Sequence, residues 1–151
     1  MKFSKDGTFI KAWGKTGWAP GEFRTLHAIA IDSRGRVFVG DRGNNRIQIF
    51  DQEGKALAMW TQFGKPSGIF FDNKDQIYVA DSESDDVQNP GWEMGIRIGD
   101  AKTGWINAFI LIRGAIHASP QGTALSSWRW TGTATCTAGS PNQNGCRSMS
   151  E

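Results

Sequence analysis

The sequence predicts an all-β chain: a partial β-propeller of about two four-stranded blades plus one preceding strand, with an irregular C-terminal tail. Three observations support it. Ile29-Ala30-Ile31-Asp32-Ser33-Arg34-Gly35-Arg36-Val37-Phe38-Val39-Gly40-Asp41 recurs, shifted by forty residues, as Ile69-Phe70-Phe71-Asp72-Asn73-Lys74-Asp75-Gln76-Ile77-Tyr78-Val79-Ala80-Asp81. A glycine is followed six residues later by a large apolar side chain three times, at Gly7 and Trp13, Gly54 and Trp60, and Gly104 and Ile110. The alternating apolar pattern then stops near Ile110.

Each element follows in order. Residues 2–13 end on Trp13 and read as the last strand of a preceding blade. Residues 21–60 form the first blade. Its first two strands are a β-hairpin around Ser33-Arg34-Gly35, two runs rich in β-branched and aromatic side chains across a polar turn. Arg46-Ile47-Gln48-Ile49-Phe50 alternates polar and apolar, as a half-exposed third strand does. Asp51-Gln52-Glu53-Gly54 turns the chain, and Ala56 to Trp60 supplies the fourth strand. Residues 63–110 repeat this plan around the turn Asn73-Lys74-Asp75, with an insertion at 82–95. Asp41 to Arg46 spans five positions and the matching Asp81 to Arg97 sixteen. A sandwich also has short, evenly spaced strands, but rarely with such self-similarity at one period.

Composition narrows the function. The 151 residues suffice for about one domain. A net charge of +2 is too small to imply nucleic acid or a membrane surface as partner. No run of about 18 apolar residues offers a spanning helix, and residues 1–7 lack the apolar stretch of a signal peptide. Cys136 and Cys146 form no C-x-x-C pattern and no disulfide framework. Residues 1–110 carry 14 basic and 14 acidic side chains, whereas 111–151 carry three arginines and one acid. The chain therefore reads as two unlike pieces.

Within the first piece, Gly21-Glu22-Phe23, then Leu26-His27-Ala28-Ile29-Ala30-Ile31-Asp32, then Val37 to Phe50 resembles an NHL repeat. The resemblance is close over 21–60, continues with the insertion over 63–110, and covers nothing beyond. It implies a propeller, a fold that hosts both enzymes and binding proteins. The blade around His27 looks most like the peptidyl-α-hydroxyglycine α-amidating lyases, which split a C-terminally hydroxylated glycine into a peptide amide and glyoxylate. In that family a histidine preceding an I-A-x-D strand is one of three zinc ligands from different blades, and His27 matches it. The arginine of a D-R-x-N-x-R-I-Q motif belongs to the active site, and Arg42 matches it. Three imidazoles with an open position let zinc polarise a substrate oxygen, and an arginine suits a developing oxyanion or a carboxylate. The chain also departs from that family. The position of His27 is Ser67 in the next blade, the family's catalytic tyrosine has no match here, and the other histidine, His117, has no repeat context.

Topology supports one working edge. In an antiparallel hairpin the start of the first strand and the end of the second share an edge, so His27 and Arg42 lie together. The insertion, with Glu83, Asp85, Asp86, Trp92 and Glu93, leaves from that same edge, and function tends to be carried on loops. Blander roles stand beside these. His27 can be a surface hydrogen-bonding residue, and Arg42 can pair with Asp41 or with the insertion's acids. Asp32, Asp41, Asp72 and Asp81 recur with the period and read as turn and strand-end caps. Trp13 and Trp60 read as core residues between blades. The acids of the insertion are too sparse for an EF-hand loop.

The tail has two readings. Ser, Thr, Gly and Ala fill 21 of its 41 positions, which suits a low-complexity segment. The second reading comes from codons. Tryptophan has one codon, so the last base of Trp130 joined to the first two of Thr131 spells an aspartate. The last base of Cys136 joined to Thr137 spells tyrosine or histidine. Between and ahead of them the shifted frame admits V-A-V-D-G-D-G-N-V-Y, whose Asp-to-Tyr spacing of six equals Asp32 to Phe38 and Asp72 to Tyr78. A frameshift between about Ile110 and Ser126 restores the next repeat.

The function expected from this is a truncated NHL-repeat propeller, itself inactive, whose parent resembles a zinc-dependent lyase. The alternative is a non-catalytic propeller that binds protein or peptide through the face carrying the insertion. Open blade edges are expected to drive self-association.

Overall fold

The computed structural model describes residues 1–112; the tail, its frame and His117 lie outside the described residues. The strands are β1 (Lys2–Phe3), β2 (Phe9–Lys11), β3 (Lys15–Thr16), β4 (Glu22–Phe23), β5 (Leu26–Ile31), β6 (Val37–Asp41), β7 (Arg46–Phe50), β8 (Ala56–Trp60), β9 (Pro66–Phe71), β10 (Gln76–Asp81), β11 (Gly95–Asp100) and β12 (Ile106–Leu111). β5 to β8 form one antiparallel four-stranded meander and β9 to β12 a second. These are two propeller blades.

Local chemistry explains the hairpins. The Asp32 carboxylate accepts from the amides of Arg34 and Arg36 at 3.1 and 2.8 Å, and Asp72 accepts from Lys74 and Gln76 at 2.9 and 2.8 Å. Asp51 does the same for Glu53 and Lys55 at the β7–β8 turn. Such side-chain acceptors take the amides a tight turn leaves unpaired. Gly35 closes the first hairpin at φ 76°, while Asp75 takes the matching left-handed position at φ 57°. An aspartate tolerates that region better than most side chains, and Asp75 also binds the Ser33 amide at 3.1 Å, tying the two turns together.

The structure refines the N-terminal expectation. Residues 2–13 hold two short strands rather than one, because Ser4-Lys5-Asp6-Gly7 makes a turn: Ser4 donates to the Thr8 carbonyl and Gly7 to that of Ser4, at 2.9 and 3.0 Å. β1 pairs antiparallel with β2 across it. The short parallel pair β3–β4 had no sequence signal.

The largest core lies between the blades. Phe38, Ile47 and Ile49 of the first blade meet Phe63, Ile77, Val79 and Ala101, with Trp60, Ile69, Phe71 and Ile106 around them. The Phe38 ring sits 4.8 Å from Phe71 and 5.5 Å from Trp60 between centroids. The recurring tryptophans press on the glycine of the following unit: a Cβ on Gly54 would lie 2.9 Å from Trp13, and one on Gly104 2.8 Å from Trp60. The spacing of glycine and tryptophan is thus a blade-to-blade contact.

One face is left open. Ile69 and Phe71 of β9 pack into the core, yet their repeat equivalents Ile29 and Ile31 of β5 are 70% and 57% exposed. At the other end, Phe70 is 59% exposed beside Tyr78. The first face matches the one that packs between blades, and burying each such side chain stabilises by about 1.5–3 kcal/mol. We propose that copies associate head-to-tail through these two unlike faces. Ile29→Asp combined with Ile31→Asp should shift sedimentation velocity profiles to the monomer. Unchanged profiles would show that the β5 face takes no part.

Candidate functional site

The ends of β6 and β10 carry a buried aspartate each. Asp41 accepts from the Arg24 amide at 2.7 Å, from Asn44 Nδ2 and Arg46 Nε at 2.8 Å, and from Gln48 Nε2 at 3.1 Å. Arg46 extends the network to the carbonyls of Trp18, Ala19 and Glu22. Asp81 accepts from the amides of Lys65, Glu83 and Ser84, from Ser84 Oγ, and from Arg97 at 3.0 Å. Each aspartate pins the segment entering its blade to the loop leaving it, the capping role its recurrence suggests.

The register of the second blade places the insertion. Asp41 faces Arg46, and Asp81 faces Gly95, so Gly95 rather than Arg97 occupies the Arg46 position. The insertion is then nine residues, not the eleven obtained by matching the arginines. Arg97 stands opposite Val79, where the first blade has Gln48 opposite Val39. It still reaches Asp81 from there, because an arginine is long enough to span two strand positions.

The loop 82–94 folds onto the neighbouring blade. Arg42, in a single 3₁₀ turn (Arg42–Asn44), places Nη1 2.8 Å from Glu83 Oε1. Lys65 Nζ lies 3.8 Å from Glu83 Oε2 and 3.4 Å from Asn45 Oδ1. Asn45 donates to Asn89 Oδ1 at 3.1 Å, and the hydroxyls of Ser67 and Ser82 are 2.6 Å apart. His27 lies on the same edge. Burial holds its imidazole below the usual histidine range, Arg42 pushes the same way, and Glu83 opposes both. The imidazole is therefore neutral near pH 7, and its neighbours are a cation and the anion that cation holds.

Arg42 thus pairs with the insertion, while the exposed His27 lies at the same edge within electrostatic reach of Arg42 and Glu83. Arg42 takes an acid of the loop as its partner. Lys65, Asn45 and Asn89 were missed. A lysine two positions before the β9 counterpart of His27 was a visible but unspecific signal, and the two asparagines had none. Among the described residues no three His, Cys, Asp or Glu side chains converge as a metal site. Among the described residues His27 supplies the one imidazole at this edge, and a three-histidine zinc centre would need two more from other blades.

Residues 23–50 match the NHL repeat. The chain is 43% identical over 85 residues to NHL repeat-containing protein 3 of Homo sapiens, covering 53% of this chain and 24% of that protein. It is 47% identical over 49 residues to Protein lin-41 of Caenorhabditis elegans, covering 32% of this chain and 4% of that protein. E3 ubiquitin-protein ligase TRIM32 of Homo sapiens is 44% identical over 46 residues, 30% of this chain and 7% of the relative. The matches thus span at most about a quarter of these relatives. They support an NHL-type propeller segment.

Proposed function

We propose that the chain is a non-catalytic propeller module that binds protein or peptide through the edge carrying loop 82–94. The observation that carries this reading is the anchoring of that loop across the blade boundary by Arg42 and Lys65 on Glu83. A loop held on a rigid sheet edge presents side chains in a fixed array, which lowers the ordering cost of binding. TRIM32, which shares this repeat, is named as a ubiquitin-protein ligase, an activity toward proteins, and that name supports a protein partner. The test is selection of peptides from a random library on the immobilised chain. Replacing 82–94 by the short Arg42–Asn45 connection should change the affinity of the selected peptides by about tenfold or more, in either direction. Trp105→Ala, at the opposite ends of β11 and β12, should leave them unchanged. Peptides indifferent to the loop would sink the assignment of the face, and enrichment of none would sink the module reading.

A second reading keeps His27 and Arg42 as one share of a zinc-dependent lyase centre. It draws on their electrostatic proximity at one edge. It needs two further imidazoles there, and the second blade offers Ser67, hydrogen-bonded to Ser82.

A further inference from the structure

We propose that Arg42 and Lys65 form a carboxylate-binding pair for an acidic peptide segment, and that Glu83 is the resident occupant which an incoming carboxylate displaces. This rests on the peptide-binding reading and names the chemistry of its ligand.

The loop itself shows what the edge accepts. Ser82-Glu83-Ser84-Asp85-Asp86 is an acidic peptide, and it is seated on two cations contributed by different blades. Arg42 follows β6, while Lys65 enters β9 with its own amide bound to Asp81 at 3.0 Å. Both cations are held in place: the Arg42 side chain is 16% exposed and that of Lys65 9%, whereas Glu83 is 33% exposed. The carboxylate is therefore the most accessible member of the three. It belongs to an insertion, whereas the cations belong to the repeat framework.

The pairing is also incomplete. Charge-assisted contacts are strongest near 2.7–2.9 Å. Arg42 achieves this, but Lys65 has only Glu83 at 3.8 Å and Asn45 at 3.4 Å. Asp85 lies within electrostatic reach of Lys65, but its carboxylate is taken by the amides of Val87 and Gln88. A ligand bearing two acids at short spacing can serve both cations, where Glu83 alone serves one well. A tethered competitor weakens binding in proportion to its local concentration, so the loop sets an affinity threshold for its own face.

The experiment titrates the chain with a synthetic Ser-Glu-Ser-Asp-Asp peptide with blocked ends, read by isothermal calorimetry. The Ser-Gln-Ser-Asn-Asn peptide is the control. The acidic peptide should bind and the amide control should not. Glu83→Gln should tighten binding by about threefold or more, since it removes the competing charge. Arg42→Ala should weaken it by about tenfold, with unchanged circular dichroism. Should Arg42→Ala fail to fold, Glu83→Gln still decides, because it is isosteric and sits on the loop. Equal or weaker affinity of Glu83→Gln overturns the proposal, as does equal binding of the amide control. Displacement of the loop by inorganic phosphate but not by the acidic peptide also overturns it, making the pair a phosphate site. If library peptides bind in a loop-dependent way but are not acidic, this inference falls while the module reading stands.

Discussion

Asp41→Ala is expected to cost about 3–5 kcal/mol, because it leaves the buried Arg46 guanidinium without its anion. Four donors are affected at once. The amide of Arg24 and the side chains of Asn44, Arg46 and Gln48 all lose the carboxylate that collects them. Single domains of this size hold about 5–15 kcal/mol in total, so this one change removes a large share of the stability. Adding Arg46→Met, which often rescues a broken buried pair, should restore little here. The carbonyls of Trp18, Ala19 and Glu22 would each lose the Arg46 donor, and that of Trp18 keeps no other, while Gln48 still serves Glu22 and the Glu22 amide serves Ala19. Urea unfolding followed by circular dichroism measures both variants. A loss under about 1 kcal/mol for Asp41→Ala, or full recovery in the double variant, would show that the aspartate does not organise the edge.

Phe38→Ala is expected to cost a similar amount, about 3–5 kcal/mol, by a different route. Phe38 is fully buried and its ring contacts Phe71 and Trp60, so truncation opens a cavity between the two blades. The backbone on either side is hydrogen-bonded into two separate sheets and cannot close the gap. Phe70→Ala is the control. Its residue is 59% exposed, and exposed substitutions usually fall within about 0.5 kcal/mol. Thermal unfolding should separate the two clearly, at roughly 4–8 °C per kcal/mol for a small domain. Similar midpoints would mean that the blades are stable apart and that the interface between them adds little.

Some of the working edge was legible from local pattern. His27 and Arg42 could be placed together because hairpin geometry brings strand start and strand end to one edge. That Arg42 would choose Glu83 was one of two options left open, Asp41 being the other. Packing decided it: Asp41 is buried and already accepts from four donors, while Glu83 is delivered by a loop from the next blade. Lys65 gave no comparable signal, since its role depends on a neighbour eighteen residues away whose loop has no fixed length in the repeat. The register of β11 misled for a related reason. Matching Arg46 to Arg97 pairs like residues, but both reach their aspartates from different strand positions.

The sequence by itself determined the repeat, the hairpins and their turns. Those depend on contacts within a few residues, where an aspartate accepting two amides or a glycine at positive φ leaves a readable letter. Only the tertiary structure decided which blade faces are buried, how β1 and β2 divide the first segment, and which cations the insertion covers. These depend on the packing of one sheet on the next, between residues some forty positions apart. The same isoleucine pattern is core in β9 and exposed in β5 because a neighbouring sheet covers one and not the other.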